Sequence, residues 1–209
     1  MQSCHRVSEK LVALLAAGVL LALAGPASSR EGKSPATSSP LADIGPAPAV
    51  VLTDASSSKR FSLGELRGKA VVVSFIYTTC NGVCPATTHR LTRVQQALEK
   101  AGLWGKSVEF VSISLDPARD TPPVLSGYAR VYDCDVRAWH FLTGAPAEVS
   151  RVITAWGMWA RIGSSGTLDH PSRIFLLDPK GREREIYNLD FLQPEIVVQD
   201  VEAVMKDSK

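Results

Sequence analysis

The stretch AVVVSFIYTTCNGVCPATTHRL, residues 70–91, decides the fold. Its first eight residues form an apolar, largely β-branched run. Such a run suits a central strand covered on both faces. Two cysteines four positions apart, Cys80 and Cys84, follow at once, and Pro85 can open a helix. Beyond it Leu91, Val94, Leu98 and Ala101 fall on one helical face, with Arg90, Arg93, Gln96 and Lys100 turned outward. A strand that runs into a cysteine loop and then a helix puts reactive side chains at the carboxyl end of a sheet, where open α/β sheets bind ligands.

Outward from this core the chain alternates strands and helices. Upstream, Val50–Thr53 and Arg60–Leu63 read as a small hairpin joined by Asp54 and serines. Downstream, Val108–Leu115 is a second buried strand. Asp120 or Thr121 then caps a helix with Val124, Tyr128 and Val131 inward. A short strand, WHFLTG, precedes a helix over Pro146–Trp156 with Val149, Val152, Ile153 and Trp156 inward. SRIFLLDPKGREREIY is a hairpin turning at Asp178–Gly181. Pro194 opens a last helix with Val197, Val201 and Val204 inward. The pattern predicts an α/β, three-layer sandwich with a mixed central sheet, an N-terminal β-hairpin and a closing antiparallel hairpin. This domain is expected over residues 48–207.

The two segments before it have other roles. Arg6 and Lys10 precede Leu11–Ala24, fourteen apolar residues ending in small ones, with Gly25-Pro26 next. As a helix this spans roughly 21 Å, short of the ~30 Å of a hydrocarbon core. Residues 1–24 therefore read as a signal peptide, with an uncleaved membrane anchor as the alternative. Either way the remainder is exported. Residues 25–47 are rich in Pro, Ser, Ala and Gly and read as a flexible linker. Hydrophobic content of 45% and charged content of 21% are those of a globular protein. A net charge of +2 without a basic run excludes nucleic acid as a partner.

The chemistry rests on the cysteines. Cys4 goes with the signal, which leaves Cys80, Cys84 and Cys134. At a helix start the first two sulfurs lie about one turn apart, where the helix end favours thiolates. Two such thiolates relieve their repulsion by holding a cation or by forming a disulfide. The spacing of three residues, with Gly82 inside it, favours a claw over a rapid disulfide exchanger. A soft metal would want a third ligand. His89 reads as an exposed helix residue and His140 as a strand residue. His170, in SSGTLDHPSRIFLL, sits on a loop before a buried strand and stands open between ligand and ordinary loop residue.

Taken together and in order, FIYTTCNGVCP, FVSISLDPARDTPPVL, FLTG and LDHPSRIFLLDPKGR resemble the Sco/SenC family, copper-binding assembly proteins for cytochrome oxidase. The resemblance covers residues 47–204. It implies a thioredoxin-like fold, a periplasmic or membrane-anchored location, and one copper ion held by Cys80, Cys84 and His170. Two thiolates suit Cu(I), and imidazole lets the same site hold Cu(II). Asp169 and Asp116 are candidates to tune the site from behind the ligands; Asp120 reads as a helix cap and Cys134 as a half-buried bystander. Many relatives carry Pro-Asp where this chain has Asn81-Gly82, which loses a carboxylate beside the site. The implied role is a copper metallochaperone; whether the chain is also an enzyme stays open, since a site holding Cu(I) by two thiolates is also a dithiol. The chaperone would serve a copper-receiving subunit of a terminal oxidase, with a second periplasmic copper chaperone or a thiol reductant as further partners. A thiol–disulfide oxidoreductase acting through Cys80 and Cys84 is the alternative.

Overall fold

The structure is a computed structural model that describes residues 41–163 and 167–208. The segment read as signal or anchor lies outside the described residues. In chain order the elements are β1 (Gly45–Pro46), β2 (Val51–Asp54), β3 (Arg60–Ser62), β4 (Ala70–Ile76), α1 (Val83–Lys100) and β5 (Val108–Ser114). Then come α2 (Pro122–Val131), β6 (Trp139–Thr143), α3 (Pro146–Ala155), β7 (Arg161–Ile162), β8 (Leu168–Asp169), β9 (Ile174–Leu177), β10 (Arg182–Tyr187) and α4 (Pro194–Asp207).

Every residue of β4 and β5 is buried, as the apolar runs require. The two strands pair in parallel from Ala70↔Val108 to Ile76↔Ser114. Each fully buried Val, Ile or Phe contributes about 1.5–3 kcal/mol, so this pair is the spine of the domain. Its serines are not left bare. Ser74 Oγ and Ser112 Oγ lie 2.8 Å apart, and Trp139 Nε1 donates to Ser112 at 2.9 Å. The main sheet runs β1-β10-β9-β4-β5-β6-β2-β3. β4, β5 and β6 are parallel, and the hairpins β2–β3 and β9–β10 join them antiparallel. This is the mixed sheet expected.

Successive side chains alternate between faces. Phe141 lies level with Ser112 and Ser74 and meets Tyr128 of α2. Tyr128 in turn bonds Thr88 of α1, and α4 packs beside α1. Phe75 points the other way, onto Trp156 at the end of α3. Helices thus cover both faces of the sheet.

Three local expectations needed correction. On α2 the buried stripe is Leu125, Tyr128 and Ala129, while Val124 and Val131 are 43% and 75% exposed. Tyr128 belongs to both candidate stripes, and its hydroxyl bond to Thr88 at 2.8 Å helps select the face. Ala101 is the exposed cap of α1 and not a core residue, because Gly102 turns the chain at φ 70°. Inside the segment read as linker, Gly45–Pro46 adds a strand to β10. Arg182 fastens Asp43 at 2.7 Å, and Arg184 donates to the carbonyls of Leu41 and Ala42 at 2.9 and 3.1 Å. Among the described residues no helix is long and apolar enough to cross a membrane.

Candidate metal centre

The carboxyl end of β4 delivers Tyr77, Thr78 and the cysteine loop. Gly82 caps α1, and the backbone N–H groups of Gly82 and Cys84 point at the Cys80 sulfur. Cys80 is half-buried and Cys84 is 1% exposed; both are free thiols. They differ in acidity. Burial opposes ionisation of Cys80, but bonds from those two N–H groups and from the Tyr77 and Cys84 side chains lower its pKa. Burial pushes the Cys84 thiol far up, against a backbone bond at Tyr77, and the neighbouring Cys80 adds to the rise.

His170 arrives from the other side. The two-residue ladder β7–β8 pairs Arg161 with Asp169 and Ile162 with Leu168, and His170 follows directly. This small second sheet replaces the plain loop expected there. His170 Nδ1 donates to the Pro171 carbonyl at 2.9 Å. A carbonyl can only accept, so a neutral ring carries its lone pair on Nε2. That atom lies 3.5 Å from Cys84 Sγ. Residues 86 positions apart thus meet. An open cleft beside them is lined by Cys80, Gly82, Val83, Trp159, Leu168 and His170, among others. Among the described residues no three His, Cys, Asp or Glu groups are drawn into a finished metal cage. The pair Cys84–His170 is formed, and Cys80 stands at the rim.

The aspartates behind the site have partners of their own. The Asp169 carboxylate packs over Gly163, so close that a Cβ there would lie 2.7 Å from it. It does not hold the imidazole; Pro171 does. Asp116 pairs with Arg119, and its N–H donates to Ser114 Oγ at 3.0 Å. Asp120 is not a helix cap, since Thr121 holds that position without a side-chain bond. Asp120 is fully buried. It accepts from Thr78 N–H at 3.1 Å, Thr78 Oγ1 at 2.5 Å and Ser114 Oγ at 2.6 Å. It therefore straps the end of β4 to the end of β5 directly below the cysteine loop. Burial raises its pKa despite these bonds.

The remaining candidates stand elsewhere. His89 is exposed on α1. His140 is locked: Nδ1 donates to Asp54 at 3.1 Å and Nε2 to Glu109 at 2.9 Å. Cys134 is half-buried, away from the cleft, with its thiol pushed up to about 12 by burial. Two further residues of the site carried no sequence signal: Asp120, reached through a 42-residue separation, and Tyr77, which reads as one more apolar strand residue.

Fold and site together define a thioredoxin-like domain with a dithiol and a histidine at the carboxyl ends of its strands. The family model for SCO1/SenC matches residues 51–206, and the chain belongs to that family. It is 32% identical over 137 residues to Protein SenC of Rhodobacter capsulatus, spanning 64% of this chain and 59% of that one. Among solved structures it is similar to Bradyrhizobium japonicum ScoI with copper bound, at 31% identity and TM-score 0.64. That match covers 75% of this chain and 97% of that one. It also shares its fold with BsSco, a member of the Sco family of cytochrome c oxidase assembly proteins described for a disulfide switch. There identity is 24%, TM-score 0.67, and coverage 79% of this chain and 97% of that one.

Proposed function

We propose that this protein is a copper metallochaperone. It binds one copper ion as cargo through Cys80, Cys84 and His170 and hands it to a copper-receiving subunit of a terminal oxidase, for assembly of the dinuclear copper centre. The observation that carries this reading is the contact of His170 Nε2 with Cys84 Sγ at 3.5 Å, beside an open cleft rimmed by Cys80. Two sulfurs and an imidazole form a donor set that accepts Cu(I) and Cu(II). Three protein donors leave a side open for the receiving protein's own ligands, whereas a closed four-ligand cage would keep the metal. Binding displaces the Cys84 proton, which burial holds tightly, so copper uptake weakens as pH falls. Copper bound to the relative ScoI supports the assignment, as does the oxidase-assembly role given for the Sco family. Residues 1–24 would export the domain to the periplasm or anchor it to the membrane. There a second copper chaperone would load it, or a thiol reductant would keep its cysteines reduced.

The test is copper titration of the wild type, Cys80→Ser, Cys84→Ser and His170→Ala. One equivalent is expected in the wild type. Partners one shell out from a metal are already worth about 10–100-fold in affinity, so each ligand loss should cost at least about 100-fold. Unchanged affinity in all three variants would refute the reading.

The asymmetry of the two thiols favours a second reading, a thiol–disulfide oxidoreductase. Cys80 is the more acidic and more accessible sulfur, and Cys84 is the buried one. The Cys80 thiolate would attack a partner's disulfide, releasing one partner thiolate. Cys84, giving up its proton, would then displace the second, leaving a Cys80–Cys84 disulfide and a partner dithiol. This activity needs both cysteines and survives His170→Ala, whereas copper binding does not.

A further inference from the structure

The geometry points to Tyr77 as the positioning residue that holds His170 over Cys84; this rests on the copper reading above and deepens it. β7 and β8 form a ladder of two residues each. A pair of strands that short cannot hold itself in place, so the position of His170 depends on ties between this hairpin and the rest of the domain. Tyr77 makes such a tie from the cysteine side. It is 3% exposed and follows the last residue of β4, three positions before Cys80. Its hydroxyl donates to the carbonyl of Leu168 in β8 at 3.2 Å. Its ring meets the His170 imidazole edge-on, with centroids 5.7 Å apart and planes at 86°. The same side chain lies near enough to Cys80 to favour its thiolate.

One phenol therefore touches two parts of the site: the β7–β8 ladder that carries His170, and the imidazole itself. The ring blocks rotation of the imidazole on one side, while Pro171 fixes Nδ1 on the other. What remains free is Nε2, aimed at Cys84. Tyr77 is buried directly after the last residue of β4, whose residues are all buried, so it transfers the position of β4 to a two-residue ladder that cannot hold itself in place. Pre-organising a ligand in this way raises affinity by lowering the ordering cost of binding. The effect should fall mainly on Cu(II), for which the imidazole matters more than it does for Cu(I) on two thiolates.

Tyr77→Phe removes the hydroxyl tie and keeps the ring; Tyr77→Leu removes both. A hydrogen bond is worth about 1 kcal/mol, or roughly fivefold. In metal-free Tyr77→Phe, amide exchange over residues 167–170 should quicken about fivefold while β4 and β5 exchange as in the wild type. The ¹⁵N shift of His170 Nε2 should move towards that of an imidazole without a hydrogen-bond partner. Cu(II) affinity should drop about fivefold, with weaker imidazole nitrogen splitting in the electron paramagnetic resonance spectrum and a smaller change for Cu(I). Tyr77→Leu should exceed Tyr77→Phe in each respect; if it fails to fold, Tyr77→Phe alone decides. Unchanged exchange at 167–170 overturns the proposal. So does faster exchange spread evenly over the domain, or local loosening with unaltered Cu(II) binding. Should the wild type take up no copper, the copper reading falls, and exchange and the His170 ¹⁵N shift still judge Tyr77.

Discussion

His140 and His170 are the same side chain in opposite circumstances. At His140 both ring nitrogens donate to carboxylates, Asp54 on one side and Glu109 on the other, which requires an imidazolium. Lys69 closes the cluster by pairing with Glu109, and Phe61 stacks on the ring at 4.3 Å. The cluster ties the hairpin β2–β3 and β6 to β5. No lone pair is left for a metal. At His170 one nitrogen is spent on a backbone carbonyl, and the other faces a sulfur and an open cleft. Availability as a ligand is thus decided by what occupies the second nitrogen, and that is a tertiary fact.

Three measurements can break or sharpen this contrast. The largest effect belongs to His140→Ala. It takes the cation from Asp54 and leaves Glu109 with Lys69 alone, the two carboxylates being 2% and 7% exposed, and removing one member of a buried ion pair costs about 3–5 kcal/mol. Urea unfolding should show that loss, while copper stoichiometry stays at one. A variant as stable as the wild type would mean the cluster is not a tie. Next in size is the alkaline limb of wild-type stability. Burial works against the charge on His140, but its bonds to Asp54 and Glu109 outweigh this and push it up to about 9. That lies above the ~6.5 of a free imidazole. The stabilisation is therefore complete below about pH 6.5 and fades as pH rises through about 9, by on the order of 3 kcal/mol. The His140→Ala protein should lack this limb; an identical pH profile would assign it to another group. The smallest effect is that of His170→Ala on the metal-free fold. Its ring is only partly buried, and the change should cost under about 1 kcal/mol, although copper binding collapses. A loss matching that of His140→Ala would make both histidines structural.

Much of the architecture was legible because its causes are local. The apolar runs at 70–77 and 108–115, the turn at Asp178–Gly181 and the valine stripe of α4 each carry their own period or turn chemistry. All appear in the fold with boundaries shifted by a residue or so. The stripe of α2 was misread because two overlapping stripes share Tyr128, and the choice between them lies on another element, at Thr88. Gly45–Pro46 looked like linker because a strand added to a sheet edge needs only backbone bonds and two arginines from a distant strand. Asp120 looked like a cap because its position suits one. Its actual partners, Thr78 and Ser114, lie on two different strand ends.

The residues by themselves determined that a buried strand would end in two thiols at a helix start, since hydrophobic period and cysteine spacing act over a few positions. They also supplied the histidines. Which of these would be held between carboxylates and which would face the thiols was settled only when strands far apart in the chain came together. Hydrogen-bond partners are short-ranged in space and blind to distance along the chain. For that reason His170 and Tyr77 acquire their places from the sheet and not from their neighbours in sequence.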